Sequence, residues 1–282
     1  MNHSRISFIA GLILITGIVF LQSCMPERKI ATTFIQSPHA IRLMVNPPVF
    51  VYKYNHKGEN IEGFDSMPEQ QQDSALWVES KYMQYLNDST LLENYMNNFI
   101  TELRLLGFNV YLNTAIDSFM TGHPQSYVVD VSQIQLDEYY YPLEDEDAFL
   151  DTVYLKKFNL NAIDWSCWFN LGKAGAGSGR KTTLYATNTA YDTFDGQFFN
   201  DPFTGTVRYR YKIDSLQIKD VYDMATYLGK KHAGFLFDYF MNQYIARHMP
   251  DGMRPEENYH YNRNRKALTP AIEERFEVLG TK

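Results

Sequence analysis

Six histidines lie beyond residue 24, at positions 39, 56, 123, 232, 248 and 260. Zinc chemistry on a helix needs two of them three or four residues apart, and neither that spacing nor a His-Glu-x-x-His run occurs. The run Gly172-Lys173-Ala174-Gly175-Ala176-Gly177-Ser178-Gly179-Arg180-Lys181-Thr182 is rich enough in glycine to suggest a phosphate cradle. It departs from a P-loop because Arg180 stands where Gly must precede Lys, and a strand-like stretch follows it in place of a helix N-terminus. A loop between two strands is the expectation. Glu144 to Asp147 carry four consecutive carboxylates without the glycine spacing of a calcium loop, so they read as a solvated acidic loop. Asp192, Asp195, Asn200 and Asp201 offer oxygen ligands, but Asp195-Gly196 is better explained as a turn. No serine sits in a Gly-x-Ser-x-Gly elbow. Cys167 lies within Trp165-Ser166-Cys167-Trp168-Phe169, where a thiol behaves as a small buried hydrophobe. These patterns argue against an enzyme and call for neither cofactor nor metal.

The chemistry that stays in view is aromatic. The chain holds 21 Tyr, 19 Phe and 3 Trp. Tyr139-Tyr140-Tyr141, just before Pro142, cannot all be core, because successive strand residues face opposite sides. Part of the cluster must be exposed, and exposed tyrosine is enriched at interfaces. Arg263 and Arg265, in the basic stretch near the C-terminus, are the second candidate docking group.

These residues have to be positioned by an α+β fold: a mixed, largely antiparallel sheet packed by an amphipathic helix near 89–106 and a long C-terminal helix near 220–247. Leu91, Leu92, Tyr95, Phe99, Leu103 and Leu106 recur at helical spacing after a cap at Asp88 or Ser89, and Gly107 ends the run. Val221, Met224, Ala225, Leu228, Leu236, Phe240 and Ile245 give the second helix a long apolar face. Strands are expected at 41–45, 49–54, 108–112, 127–139, 153–158, 164–171, 182–191 and 206–213, with a short helix at 114–121. Tyr127, Val129 and Val131 share one parity while Ile134 and Leu136 share the other, so a bulge is expected near Ser132. Residues 58–72 read as a loop. Thr269-Pro270 starts one more short helix, to Leu279. One domain over 38–249 follows, with a polar tail at 250–282. The element order over 88–140 resembles the small α/β modules of envelope lipoproteins of the TolB amino-terminal and LptE kinds. That resemblance implies no functional residue.

The N-terminus supplies location. A basic start with Arg5, an apolar run from Ile6 to Phe20 and Leu21-Gln22-Ser23-Cys24 form a signal-peptide pattern. Leu21, Ser23 and Cys24 resemble the lipobox of bacterial lipoproteins. The resemblance implies removal of residues 1–23 and acylation of Cys24, which would hold the protein to a membrane by two or three acyl chains. Residues 24–37 then read as a tether. Losing Arg5 moves the formal net charge from −7 to −8, which disfavours a nucleic-acid partner. Met25 in place of Asp implies the outer membrane by the general sorting pattern of Gram-negative lipoproteins, and Met25-Pro26-Glu27-Arg28-Lys29 has no acidic run of the sort that sends some lipoproteins to the cell surface, which favours facing the periplasm. The leading expectation is a non-catalytic accessory or scaffold component of an envelope assembly or transport machine, with protein partners in the envelope. The alternative is a surface-displayed lipoprotein that binds a glycan or another ligand on aromatic platforms.

Overall fold

The computed structural model describes residues 26–37, 40–120, 125–149, 152–175, 181–273 and 275–281. Residues 1–23, read as a signal segment, Cys24 and the centre of the glycine run lie outside those residues. In chain order the elements are α1 (Pro26–Gln36), β1 (Arg42–Asn46), β2 (Tyr52–Asn55), α2 (Glu69–Glu79), α3 (Asp88–Leu105), β3 (Asn109–Leu112), α4 (Ile116–Met120), β4 (Ser126–Phe149), β5 (Thr152–Lys173), β6 (Thr182–Tyr191), β7 (Thr193–Asn200), β8 (Val207–Asp214), α5 (Ile218–His248), β9 (Asn258–Asn262), β10 (Ala267–Ala271) and β11 (Glu277–Thr281). The chain divides into two compact units, one of Met1–His39 with Gly234–Arg275 and a larger one of Ala40–Ala233 with Phe276–Lys282.

In the larger unit a seven-stranded sheet runs β11-β6-β5-β4-β1-β3, with β2 pairing β4 off that path. β1 lies parallel to β3 and β4, and β2 parallel to β4, while β4, β5, β6 and β11 are antiparallel. The fold is α+β with a mixed, largely antiparallel sheet and a long C-terminal helix. The register between β4 and β5 shifts between Val131 and Gln133, and the Ser132 hydroxyl donates to the Trp168 carbonyl at 3.1 Å. This bulge accounts for the change of parity along β4.

Helix α3 begins where Asn87 Oδ1 accepts the Thr90 N–H at 3.0 Å, one residue before the expected caps. It ends at Gly107, whose φ of 96° allows Phe108 N–H to reach the Leu103 carbonyl at 3.1 Å and Gly107 N–H to reach Arg104 at 3.0 Å. That is a Schellman closure with Phe108 and Leu103 both buried. Leu91, Tyr95, Phe99 and Leu103 form its buried face, and Tyr95 stacks on Trp165 at 5.7 Å and Phe99 on Phe169 at 5.9 Å. Val221, Ala225 and Leu228 of α5 are buried as well. A Cβ on Gly229 would stand 2.3 Å from the Tyr95 carbonyl oxygen, so the missing side chain is what lets the two helices approach.

In the smaller unit, α1, the end of α5 and the β9–β10 hairpin share a core. Phe34 packs on Phe237 at 5.4 Å and on Tyr244 at 5.3 Å. Asn242 exchanges hydrogen bonds with the backbone of Tyr259, at 2.8 and 3.2 Å. Asp238 accepts the Tyr261 N–H at 2.8 Å and pairs with Arg275 at 3.0 Å. Burial nevertheless pushes the Asp238 carboxyl up to about 7, against the lowering effect of those two partners.

Several expectations need correction. Residues 26–36, read within a tether, are helical, with an amphipathic pattern that buries Ala31 and Phe34 on one face. Within 58–72 two 3₁₀ turns lead to α2, opened by bonds from Gln71 and Gln72 N–H to the Pro68 carbonyl. Residues 153–158 and 164–171 belong to one strand, since Asn159 to Asn161 continue the ladder with β4. The acidic stretch 144–147 lies inside β4, opposite Leu155, Lys156, Lys157 and Tyr154, and the lysines offset part of its charge. Asp195-Gly196 lies inside β7. A Cβ on Gly196 would fall 2.2 Å from the Tyr209 hydroxyl, so that glycine makes room for rings. The helix expected over 269–279 is replaced by β10 and β11, and the stretch 250–282 carries three strands.

Candidate binding surface

The groups best equipped for acid–base work lie on the core side of the sheet, where they hold the chain together. Alternation beyond the bulge turns Glu138 inward with Ile134 and Leu136, leaving it 0% exposed. Its carboxylate accepts from Lys57 Nζ at 2.5 Å, Ser80 Oγ at 2.7 Å and the N–H groups of Lys81, Tyr82 and Met83 at 2.7, 3.2 and 3.3 Å. Burial pushes this carboxyl up, but Lys57, the Lys81 N–H and Ser80 together outweigh it and hold the group below the usual range. Lys57, 1% exposed, also donates to Asn161 Oδ1 at 3.0 Å and lies 4.7 Å from the centre of the Tyr140 ring. Asn161 continues the network to Asp192 through its own N–H at 2.9 Å and its amide at 2.8 Å, and Asp192 accepts the Leu216 N–H at 2.8 Å. So many donors on one carboxylate fix the 80–83 segment and occupy the lone pairs that a general base would use.

A second buried cluster has the same character. His232 shares a 2.8 Å hydrogen bond with the Tyr95 hydroxyl, and its other ring nitrogen lies 3.3 Å from Asn188 Nδ2. Burial, followed by the Lys231 charge, brings the imidazole down to about 3, so it is neutral at physiological pH. The Cys167 thiol accepts from Trp165 Nε1 at 3.3 Å and donates to the Tyr95 oxygen at 3.7 Å. Burial pushes it up to about 12, leaving a protonated thiol in the core.

The other face of the same sheet is polar and aromatic. Gln133 stands opposite Trp168, which stands opposite Tyr185. The next row is Tyr52, Gln135, Ser166 and Thr187, and the next Tyr54, Asp137, Asp164 and Thr189. Neighbouring strands are about 4.8 Å apart, so each row is a ladder of touching side chains. Gln133 donates to Gln135 at 3.0 Å, and Gln135 donates to Asp137 at 2.9 and 3.1 Å. Asp137 meets His56 Nε2 at 2.8 Å. Ser166 and Tyr185 share a 3.0 Å hydroxyl contact, Thr189 donates to Asp164 at 2.6 Å, and the Trp168 and Tyr185 rings lie 4.9 Å apart.

The three tyrosines split between the faces as alternation requires. Tyr139 donates to Asp164 at 3.1 Å, and burial together with Asp164 pushes its phenol up to about 12. Tyr141 stacks on Tyr191 at 5.3 Å with the rings 13° apart, and both are exposed. Tyr140 turns the other way, over Lys57, with its hydroxyl 3.4 Å from Glu79. Beyond them, from Pro142 opposite Asn159 to Phe149 opposite Thr152, β4 and β5 pair only with each other among the described residues. The β7–β8 hairpin covers one face of this arm with a ring cluster in which Phe158 meets Phe194 at 4.7 Å and Tyr211 at 4.9 Å. Tyr209 donates to Asp145 at 2.5 Å. On the arm's other face Val153 and Leu155 are 61% and 48% exposed.

Arg263 and Arg265 belong to the smaller unit, in the turn between β9 and β10. Arg263 is half-buried, and the exposed Arg265 donates its N–H to Asn262 Oδ1 at 3.0 Å. Of the oxygen-rich residues, Asp192 is held in the buried network and Asp201 accepts the Phe203 N–H at 2.9 Å and pairs with Arg208 at 2.9 Å. Among the described residues no group of three or more His, Cys, Asp or Glu side chains is placed to hold a metal ion. Alternating polar residues in β4, β5 and β6 were the sequence signal for the outer face, but only the strand register shows which of them meet. Compared with family models, curated proteins and solved structures, the chain matches none.

Proposed function

We propose that this chain is a non-catalytic lipoprotein, anchored at the outer membrane through lipid on Cys24 and facing the periplasm, that serves as an accessory component of an envelope assembly or transport machine. The observation that carries this reading is the β4–β5 arm. Strand edges without partners present rows of N–H and C=O groups that a neighbouring chain can pair with. Here they accompany exposed Val153 and Leu155 on a face that no described strand covers. Anchoring by lipid keeps such an arm close to the membrane, where an envelope partner would meet it.

The test is crosslinking of the native full-length protein in cells, followed by pull-down, beside the pair Val153→Asp and Leu155→Asp. A defined envelope protein recovered with the native chain and lost with the variants, at unchanged melting temperature, supports the proposal. Recovery indifferent to the arm overturns it. A second reading, a ligand-binding protein displayed on the cell surface, draws on the exposed Tyr141–Tyr191 stack. Digestion by proteinase added to intact cells favours that reading, and protection favours the first.

A further inference from the structure

We infer that the outer face of the sheet is a binding platform for an uncharged glycan chain, a site separate from the protein-docking arm. The chemistry of the face selects the ligand. A sugar ring offers hydroxyl groups around its edge and C–H groups on its faces, and its partners are planar amides and carboxylates for the first and aromatic rings for the second. Gln135, Asp137 and Asp164 supply the planar groups at the centre of the face and Thr187 and Thr189 exposed hydroxyls beside them, flanked by the Trp168–Tyr185 ring pair.

Other occupants fit less well. No lysine or arginine occurs in 133–137, 164–168 or 185–189, and Asp137 and Asp164 lie on the face, so a phosphorylated or acidic polymer would meet carboxylates. A protein interface of ordinary type would set an apolar patch at its centre, but here the centre is Gln135, Asp137, Asp164 and Ser166. The side chains are also held in place before any ligand arrives. Gln133, Gln135 and Asp137 are linked in one chain of hydrogen bonds, and Thr189 and Tyr139 both donate to Asp164. A primary amide has two N–H groups and two lone pairs, so Gln133 and Gln135 keep capacity for a ligand hydroxyl beyond the bonds they make to each other. Fixing these groups beforehand lowers the ordering cost of binding, which favours a long, repetitive ligand held by many weak contacts.

The probes are neutral β-linked hexasaccharides of glucose and of N-acetylglucosamine, titrated into the full chain in a detergent without a sugar headgroup. Binding is read by calorimetry and by tryptophan fluorescence. Saturable binding of at least one probe is expected, with a fluorescence change that disappears in Trp168→Phe. Trp168→Ala should weaken binding about tenfold, the worth of one good aromatic contact. Gln135→Leu, which preserves shape and removes the amide, should weaken it by a similar factor and covers the case in which Trp168→Ala folds poorly. Absence of binding for both probes up to about 10 mM overturns the proposal. So does binding that survives both Trp168→Ala and Gln135→Leu unchanged, or equal binding of a polygalacturonate hexamer, which would mark attachment by charge or at another place. Loss of the arm's protein partner with the platform intact would strike the accessory reading alone.

Discussion

The two faces of one sheet use similar residues to opposite ends. Toward the core, Glu138, Lys57, His232 and Cys167 are polar groups surrounded until their hydrogen-bonding capacity serves the fold. Toward the outside, Gln135, Asp137 and Asp164 bond mainly along and across the strands and stay half-exposed, while Ser166 between them is buried against Tyr185. An ionisable side chain that is buried and saturated has spent its chemistry on folding, whereas one fixed by its neighbours and still open to solvent keeps some for a ligand.

The sharpest way to break this contrast is Lys57→Met. It leaves the Glu138 carboxylate buried without its cation, and about 3–5 kcal/mol of stability should be lost in chemical unfolding. A loss below about 1 kcal/mol would move that pair out of the structural class. Next comes acid. The His232 imidazole sits near 3 in the folded protein against 6.5 unfolded, so below pH 6.5 the unfolded state takes up the proton first. Stability contributed by the neutral ring is therefore present above about pH 6.5 and falls by about 1.4 kcal/mol per pH unit toward pH 3. Glu138 and Asp192, both held low by their donors, lose their contributions in the same direction as pH falls. The stability gap between the wild type and His232→Gln should accordingly narrow as pH falls, and a constant gap between pH 7 and 4 would contradict the assignment. Gly229→Ala gains helix propensity of up to about 1 kcal/mol yet drives a methyl against the Tyr95 carbonyl, for a net loss of roughly 1–3 kcal/mol by thermal unfolding. The smallest effect belongs outside. Gln135→Leu should change stability by no more than about 0.5 kcal/mol while it weakens oligosaccharide binding, and a large fall in melting temperature would make the outer face structural too.

The smaller unit answers pH with the opposite sign at one carboxyl. Asp238 is raised to about 7 by burial, so its protonated form is favoured in the folded state and its contribution is lost as pH rises from about 4 through 7. His260 in the same unit is held low by burial and by Arg275, which favours higher pH. Comparing wild type with Asp238→Asn isolates the carboxyl.

Much of the scaffold was legible because it rests on local periodicity. Leu91 to Leu106 with Gly107 specify α3, Val221 to Ile245 specify α5, and the parity change between Val131 and Ile134 gives the bulge. What escaped depends on distant partners. Lys57 and Glu138 are 81 positions apart, and nothing in either neighbourhood announces the other. Residues 69–79 lack a strong apolar stripe, and their helix shows only once its surroundings are known, whereas the periodicity of 26–36 is present in the sequence and is overshadowed by the lipobox beside it. At the candidate site, the alternation of Tyr139, Tyr140 and Tyr141 was readable, whereas the rows joining β4 to β5 and β6 follow from register alone.

Strand β11 sets a condition on when the fold can be completed. Val278 pairs with Leu184, and Phe276 packs against Phe169 at 5.2 Å, so one edge of the main sheet and part of its core come from residues far along the chain from their partners. Contacts of such long sequence range close late and slowly, because the loop between them must be ordered before the pairing repays the cost. Until β11 pairs, Thr182 to Tyr185 stay an open sheet edge, exposed to pairing with another chain and hazardous if that state lingers.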